Sequence, residues 1–511
     1  MPDGRESGAP PPGACLGACP SIGPGPAEYS DRLLGPAALA VLLLVLPGCS
    51  GGGGPAPGER PNVLLITVDT LRPDHLGCYG YPRSTSRYID TLARRGVMFR
   101  QATTAAGRTV QSFPSILTGV YPMVHGLRYE GQSFEVIKGR LTLTRVLKEN
   151  GYASFAVTQG LNVGLHYDFD LYDPDIYLDP EGKRVYLPAR SDSDASRKAV
   201  NWLKGRKRKE APFFLWMRYN APHWPYDAPA PYTEMFDPDY RGPHAFNEEA
   251  GPGVERGDII FGKTRLPARQ VAHAVAHYDG EVACADHAVG ELLGALQTMG
   301  LLARTLVVLT ADHGESLGEH DYFFEHGAYL YDPTVRVPLI ISYPPSLPAG
   351  TVVPTQARTI DIVPTVLDVL GIPIPTGLQG QSLVPWMRGT GRRAGPLAYS
   401  ESGRNFYKEN PRQHVDGVAG KWRMLRSDRF KLILIPAASG GPIWEFYDLE
   451  SDPGETTNVA GKFPGEEAAL RQALLDLLAA DPGRDDREEP ALPPGLEENL
   501  RSLGYVGGKK P

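Results

Sequence analysis

Cysteine is scarce in this chain: five in 511 residues, and three of them, Cys15, Cys19 and Cys49, fall near the start. The other two, Cys78 and Cys284, lie in a loop and on a predicted helix, so separate thiols are expected instead of a disulfide framework. No Cys pair has structural-zinc spacing. A basic excess is also missing. The formal net charge of −7 leaves no electrostatic footprint for nucleic acid, which is not an expected partner. The one basic run, Lys204 to Lys209, reads as the solvated end of a helix. Internal repeats and heptads are absent, which excludes solenoids and coiled coils. The apolar run Leu33 to Leu46 is too short for a comfortable membrane span.

What is present starts with LVVLTADHGESLGEHD, Leu306 to Asp321, where an apolar run ends abruptly in Asp312, His313 and Gly314. A strand that delivers an acid and a histidine to the carboxyl edge of a sheet suits a hydrolytic metal site acting on an anion. Alone, the same residues also fit a turn in which Asp312 caps the next helix and His313 packs. A second run, Asn62 to Val68, ends the same way at Asp69, so two strand ends offer oxygen and nitrogen ligands to one cleft. A third piece, TVQSFPSILTG, Thr109 to Gly119, is a hydroxyl-rich loop turning into a helix whose free N–H groups could hold an anion beside Thr109.

With these pieces in order, the chain resembles the sulfatase family of the alkaline phosphatase superfamily from about Pro61 to Ala460. The resemblance is carried by PNVLLITVDTLRPDHLGCYGY, SILTGVYPMVHG, LTADHGESLGEH, VRVPLIISYP, DIVPTVLDVLGIPIPTGLQGQSL and FYDLESDPGETTNVA. It implies an α/β chain of the alkaline-phosphatase-like fold, a large mixed sheet sandwiched by helices with a small C-terminal α+β subdomain. It also implies a metal-dependent hydrolase of anionic esters.

Two departures from the family matter. Sulfatases carry Cys or Ser followed by x-Pro-Ser-Arg and oxidise the first residue to formylglycine. Here Thr109 takes that place, with Gln111 for the proline, Ser112 for the serine and Phe113 for the arginine. Threonine cannot become the aldehyde. An O-sulfated threonine lacks the collapse that expels sulfate from a formylglycine hydrate, whereas a phosphothreonine can be cleared by metal-aided in-line attack, so a phosphate ester or diester is preferred and a sulfate ester is the alternative. The second departure is Thr70, where the family usually has another acid.

By resemblance the metal set becomes Asp69, Thr109 Oγ, Asp312 and His313 around one divalent ion. Mixed N/O ligation suits Mn²⁺ or Zn²⁺ better than Ca²⁺ or Mg²⁺, which stay open. The resemblance gives His223, in its His-x-Pro segment, and His326, where many sulfatases carry lysine, the roles of binding ester oxygens or protonating the leaving group. Either histidine could instead only pack. Arg108 could pair with a phosphate or be a surface arginine before a helix. Arg72 and His125 are weaker candidates, and His75 and His320 read as structural.

Apolar runs at Asn62 to Val68, Ser154 to Thr158, Phe213 to Tyr219, Thr305 to Thr310 and Val337 to Ser342 alternate with helical segments, as an α/β sheet requires. The clearest helix carries Val275, Tyr278, Val282, Val289, Leu292 and Leu296 on one face. Arg32, the following apolar run and Leu46-Pro47-Gly48-Cys49 resemble a signal peptide with a bacterial lipobox, so a lipidated Cys49 would anchor the exported chain to a membrane. A plain signal peptide or an uncleaved anchor would fit too. The expected order is a leader over 1–49, a Gly-rich linker over 50–59, the catalytic α/β domain over 60–389, the small subdomain over 390–480 and a charged tail over 481–511. The substrate would be an anionic ester on a glycan, lipid or small molecule. A phospho-group transferase on envelope glycans or lipids, and a non-catalytic anion-binding lipoprotein, are the alternatives to a hydrolase.

Overall fold

Asn62–Val68 (β1) is buried at every position, and so are Phe213–Tyr219 (β5) and Thr305–Thr310 (β6), because their unbroken apolar runs leave no face for water. The computed structural model describes residues 60–481 apart from 130–131, 133, 161–163, 175–176, 179–183, 186–189, 208, 243–255 and 416. The expected leader, the lipobox with Cys49, the linker up to residue 59 and the tail beyond 481 lie outside the described residues. So do parts of the segments 168–190 and 237–262.

The remaining strands of the large sheet are Val97–Thr103 (β2), Ala153–Val157 (β3), Leu171–Asp173 (β4), Arg336–Ser342 (β7) and Thr351–Arg358 (β8). Their order is β8-β2-β7-β6-β1-β5-β3-β4. Only β7 runs against the rest. The carboxyl ends of β1, β2, β5 and β6 therefore meet at one edge, where a doubly covered sheet binds ligands.

Six helices matter here: Arg87–Arg94 (α1), Thr109–Thr118 (α2), Arg190–Gly205 (α3), Ala268–Thr298 (α4), Ile362–Val369 (α5) and Pro464–Ala479 (α6). The predicted apolar stripe lies on α4, with Tyr278, Val282, Val289, Leu292 and Leu296 buried and Val275 at its margin. The basic run after α3 is mixed in character. Lys204, Lys207 and Lys209 are exposed, but Arg206 is buried over the rings of Trp202 and Phe213. Cys78 and Cys284 are free thiols. No helix among the described residues is long and apolar enough to cross a membrane.

A second, antiparallel sheet follows in the order Ala398–Asn405 (β9), Lys421–Arg426 (β10), Phe430–Ile435 (β11) and Ile443–Asp448 (β12). Leu470 and Leu474 of α6 pack on its Leu425, Leu432 and Phe446. It is tied to the large sheet beside α2: Glu401 N donates to the carbonyl of Ala105 at 3.2 Å, and Gly403 N to that of Gly327 at 2.9 Å.

Candidate active site

The parallel strand ends bring four of the predicted residues together. Asp69 follows β1, Asp312 and His313 follow β6, Thr109 opens α2, and all four are wholly buried. One oxygen from each acid and one nitrogen of His313 lie within 4.8 Å of one another. His313 Nε2 is 3.4 Å from Asp312 Oδ2, 3.7 Å from Asp69 Oδ1 and 2.9 Å from Thr109 Oγ1. Its other nitrogen, Nδ1, is 3.0 Å from the carbonyl of Gly314 and donates to it, which leaves the Nε2 lone pair for the threonine hydroxyl or a metal. Glycine is required after His313, since a Cβ at position 314 would stand 2.1 Å from the carbonyl oxygen of Pro333.

Thr70, in place of the family's second acid, is fully buried, has a left-handed φ of 51° and leaves Oγ1 without a hydrogen-bond partner. A β-branched residue held there is strained, and such strain clusters at functional sites.

The two acids differ electrostatically. Burial works against the charge of Asp69, but the Arg218 guanidinium on its Oδ2, reinforced by His223 and His313, holds its carboxyl below the ordinary range. Burial and the neighbouring Asp69 charge push Asp312 well above it. Asp69 Oδ1 and Asp312 Oδ2 have no hydrogen-bond partner. Arg218 thus balances one carboxylate, and the second needs a proton or a cation. Two buried carboxylate oxygens and an imidazole nitrogen at this spacing fit a divalent metal.

The predicted His223 and His326 are both at the site. The His326 ring stacks on His313 with centroids 4.2 Å apart and lies 5.2 Å from His223. His326 Nδ1 faces Glu315 Oε1 at 3.1 Å, and His223 Nδ1 faces the carbonyl of Trp224 at 2.6 Å. Burial lowers the pKa of all three histidines, bringing His313 down to about 4, so each is neutral near pH 7.

Arg108 is a correction to the surface alternative. It is 1% exposed, with Nη2 3.6 Å from Glu325 Oε1. Its stem is clamped between two glycines: a Cβ at Gly327 would come 2.4 Å from Arg108 Cγ, and one at Gly403 2.2 Å from it. The other candidates do structural work. His125 is bound to Ser115 Oγ at 3.0 Å, His75 to Asp279 at 2.7 Å and Arg72 to Asp74 and Glu319, while His320 stacks on Tyr331.

Four residues at the site escape sequence reasoning: Arg218, Glu315, Glu325 and Arg404, the last on β9 with Nη2 3.6 Å from Glu325 Oε2. Arg218 left a signal as the one charge in the buried run FFLWMRY. Glu325 and Arg404 left none.

Comparison with known proteins agrees with this geometry. The Sulfatase family model matches residues 61–372, and that of the N-sulphoglucosamine sulphohydrolase C-terminal region matches 318–479. The chain is 26% identical over 498 residues to the N-acetylglucosamine-6-O-sulfatase of Bacteroides thetaiotaomicron, covering 82% of this chain and 86% of that one. It is 29% identical over 503 residues to human arylsulfatase K, covering 86% of each. Among solved structures, one in complex with its substrate D-glucosamine-2-N,6-O-disulfate superposes with a TM-score of 0.66 at 22% identity, covering 84% of this chain and 99% of the other. The phosphonate monoester hydrolase of Agrobacterium radiobacter gives 0.65 at 22% identity, covering 82% and 96%. These two share the fold. Family match, sheet order and the acids at the strand ends together place the chain in the sulfatase family of hydrolases, within the alkaline phosphatase superfamily.

Proposed function

We propose that the chain hydrolyses anionic esters through a covalent intermediate on Thr109, at a divalent-metal site made by Asp69, Asp312, His313 and Thr109 Oγ. The observation that carries this reading is the 2.9 Å contact of Thr109 Oγ1 with His313 Nε2 at the start of α2, beside two carboxylate oxygens without hydrogen-bond partners. A divalent ion bound there supplies positive charge that lowers the hydroxyl pKa and neutralises the ester. The mixed N/O donors favour Mn²⁺ or Zn²⁺ over Ca²⁺ or Mg²⁺.

The chain's own groups do the rest. The N–H groups opening α2 and the Arg108 guanidinium hold the non-bridging oxygens. Thr109 Oγ bonds to phosphorus as the bond to the leaving oxygen breaks in line, and its hydroxyl proton passes to neutral His223 or His326. That histidine, neutral in the free protein, passes the threonine proton on to the leaving oxygen. Water then attacks phosphorus and gives a proton to the same histidine, which returns it to the Thr109 oxygen as the bond from that oxygen to phosphorus breaks.

A phosphate ester or diester is favoured because phosphothreonine can be cleared in this way. A sulfate ester is the second reading, supported by the similarity to N-acetylglucosamine-6-O-sulfatase and arylsulfatase K over most of their lengths. The test is turnover of aryl phosphate monoesters, phosphodiesters and sulfates by the purified chain, with each of the four metals and with chelator. Metal-dependent phosphoesterase activity supports the first reading, and metal-dependent sulfatase activity alone replaces it with the second. For localisation, Leu46-Pro47-Gly48-Cys49 supports export and attachment to a membrane through lipidated Cys49.

A further inference from the structure

A cleft of about 540 Å³ lies between the β2–β8 edge of the large sheet and the turn joining β10 to β11. It opens where the β8–β2 register shifts between Val353 and Gln356, which takes Pro354 and Thr355 out of the ladder. None of the proposed catalytic or metal residues lines it. Five arginines do: Arg100, Arg336, Arg393, Arg426 and Arg429.

The carboxylates of the cleft do not balance them. Asp332 is taken up by Lys431 Nζ at 2.9 Å and Arg426 Nη2 at 3.2 Å. Asp428 accepts the backbone N–H groups of Gly395 and Gln356, and Arg429 is balanced by Asp448, which it holds with Nε at 2.9 Å and Nη2 at 2.8 Å, with Glu450 at 3.4 Å beside it. Among the described residues no carboxylate lies within 4.0 Å of the charged groups of Arg100 or Arg393, whereas Arg336 stands in the field of Asp332 and Asp74. Arg336 spends Nη2 on the carbonyl of Arg100 at 2.9 Å.

Arg426 is 3% exposed, and its Nε has no acceptor; Arg336 Nε and Thr355 Oγ1 are likewise buried without partners. Guanidinium groups only donate, so what the cleft lacks is a multi-oxygen acceptor carrying negative charge. The volume is in the range of small-ligand pockets and far exceeds the share of a single water, so a lone tetrahedral anion would fill only part of it.

We propose that this cleft is a second anion-binding site, which takes a sulfate or phosphate group borne on a unit about the size of one sugar ring. It is independent of the chemistry at Thr109. The oxyanion could arrive on a free small molecule or on a polymer.

The test is calorimetric titration of the full chain carrying Thr109→Ala with glucose 6-sulfate, inorganic sulfate, a dextran sulfate oligomer and neutral dextran. The same titrations are run with Arg100→Gln and Arg393→Gln added. Both arginines are exposed, so the fold is expected to survive, and thermal melting checks it. The expected result is a binding event, absent for neutral dextran and separate from binding at the active site, that weakens at least about tenfold in the added double variant while active-site binding is unchanged. Glucose 6-sulfate binding as well as the oligomer points to a small ligand, and the oligomer binding much more tightly points to a polymer. With Thr109 intact, the double variant should turn over aryl esters at the parent rate. Absence of such an event, or its survival in the double variant, overturns the proposal.

Discussion

The guanidinium of Arg218 lies against Oδ2 of Asp69, so one of two neighbouring buried carboxylates carries its counter-ion within the chain and the other, Asp312, does not. Metal affinity and metal-free stability are therefore opposed at Asp312. A divalent ion at about 100 times its Kd should stabilise the protein by about 2.7 kcal/mol, roughly 3 °C of melting temperature for a chain of this size. Asp312→Asn should melt higher than the parent in chelator and fail to respond to added metal. Differential scanning calorimetry with and without Mn²⁺ or Zn²⁺ checks both. A parent indifferent to every divalent ion would count against the metal site.

The stem of Arg108 is packed against Gly327 and Gly403 one residue before Thr109, which places its planar fork in the buried site. Arg108→Lys keeps the charge but loses the fork, and kcat/KM should fall by about 100-fold, near 3 kcal/mol of transition-state stabilisation. Steady-state kinetics with a parallel melt separates this from misfolding. An unchanged kcat/KM would make Arg108 a structural ion only.

Much of this site was legible as sequence. The bounds of β1, β5 and β6 follow from unbroken apolar runs, and Asp69, Asp312 and His313 from the polar residues that stop them. Val97–Thr103 and Thr351–Arg358 were not legible as strands, because Arg100 and Gln101 in the first and Pro354, Thr355 and Gln356 in the second interrupt the apolar pattern near the sheet edge. The burial of Arg108 could not be read either, since it depends on glycines far downstream that meet it only in the folded chain. The same holds for Arg404, which the second sheet carries to the site.

Glu401 on β9 pairs with Arg128, in the loop after His125, at 2.7 Å and with Lys421 of β10 at 3.4 Å. Burial alone would raise its pKa, but Arg128 and Lys421 hold it down at about 2. A carboxyl depressed on folding stabilises the protein above its unfolded pKa and loses that contribution as pH falls. Glu401 should therefore contribute about 3 kcal/mol near neutrality, lost between about pH 4.5 and 2. The stability gap between the parent and Glu401→Gln, measured by urea unfolding, should narrow across that window. A gap constant with pH would contradict the pairing.

If Cys49 carries lipid, Cys49→Ser should move the protein from the membrane fraction to the soluble one while leaving its specific activity unchanged. Labelling with a radioactive fatty acid in a bacterial host, followed by fractionation, reads both. A parent that fractionates as soluble and takes up no label would leave a plain signal peptide.

The central claim is that Thr109 is the nucleophile. Its most direct test compares the parent, Thr109→Ser and Thr109→Ala on the best aryl ester at saturating metal. The account predicts that the serine variant keeps measurable turnover and that the alanine variant loses at least about 1000-fold in kcat, with its fold intact by melting. An alanine variant within tenfold of the parent would contradict it.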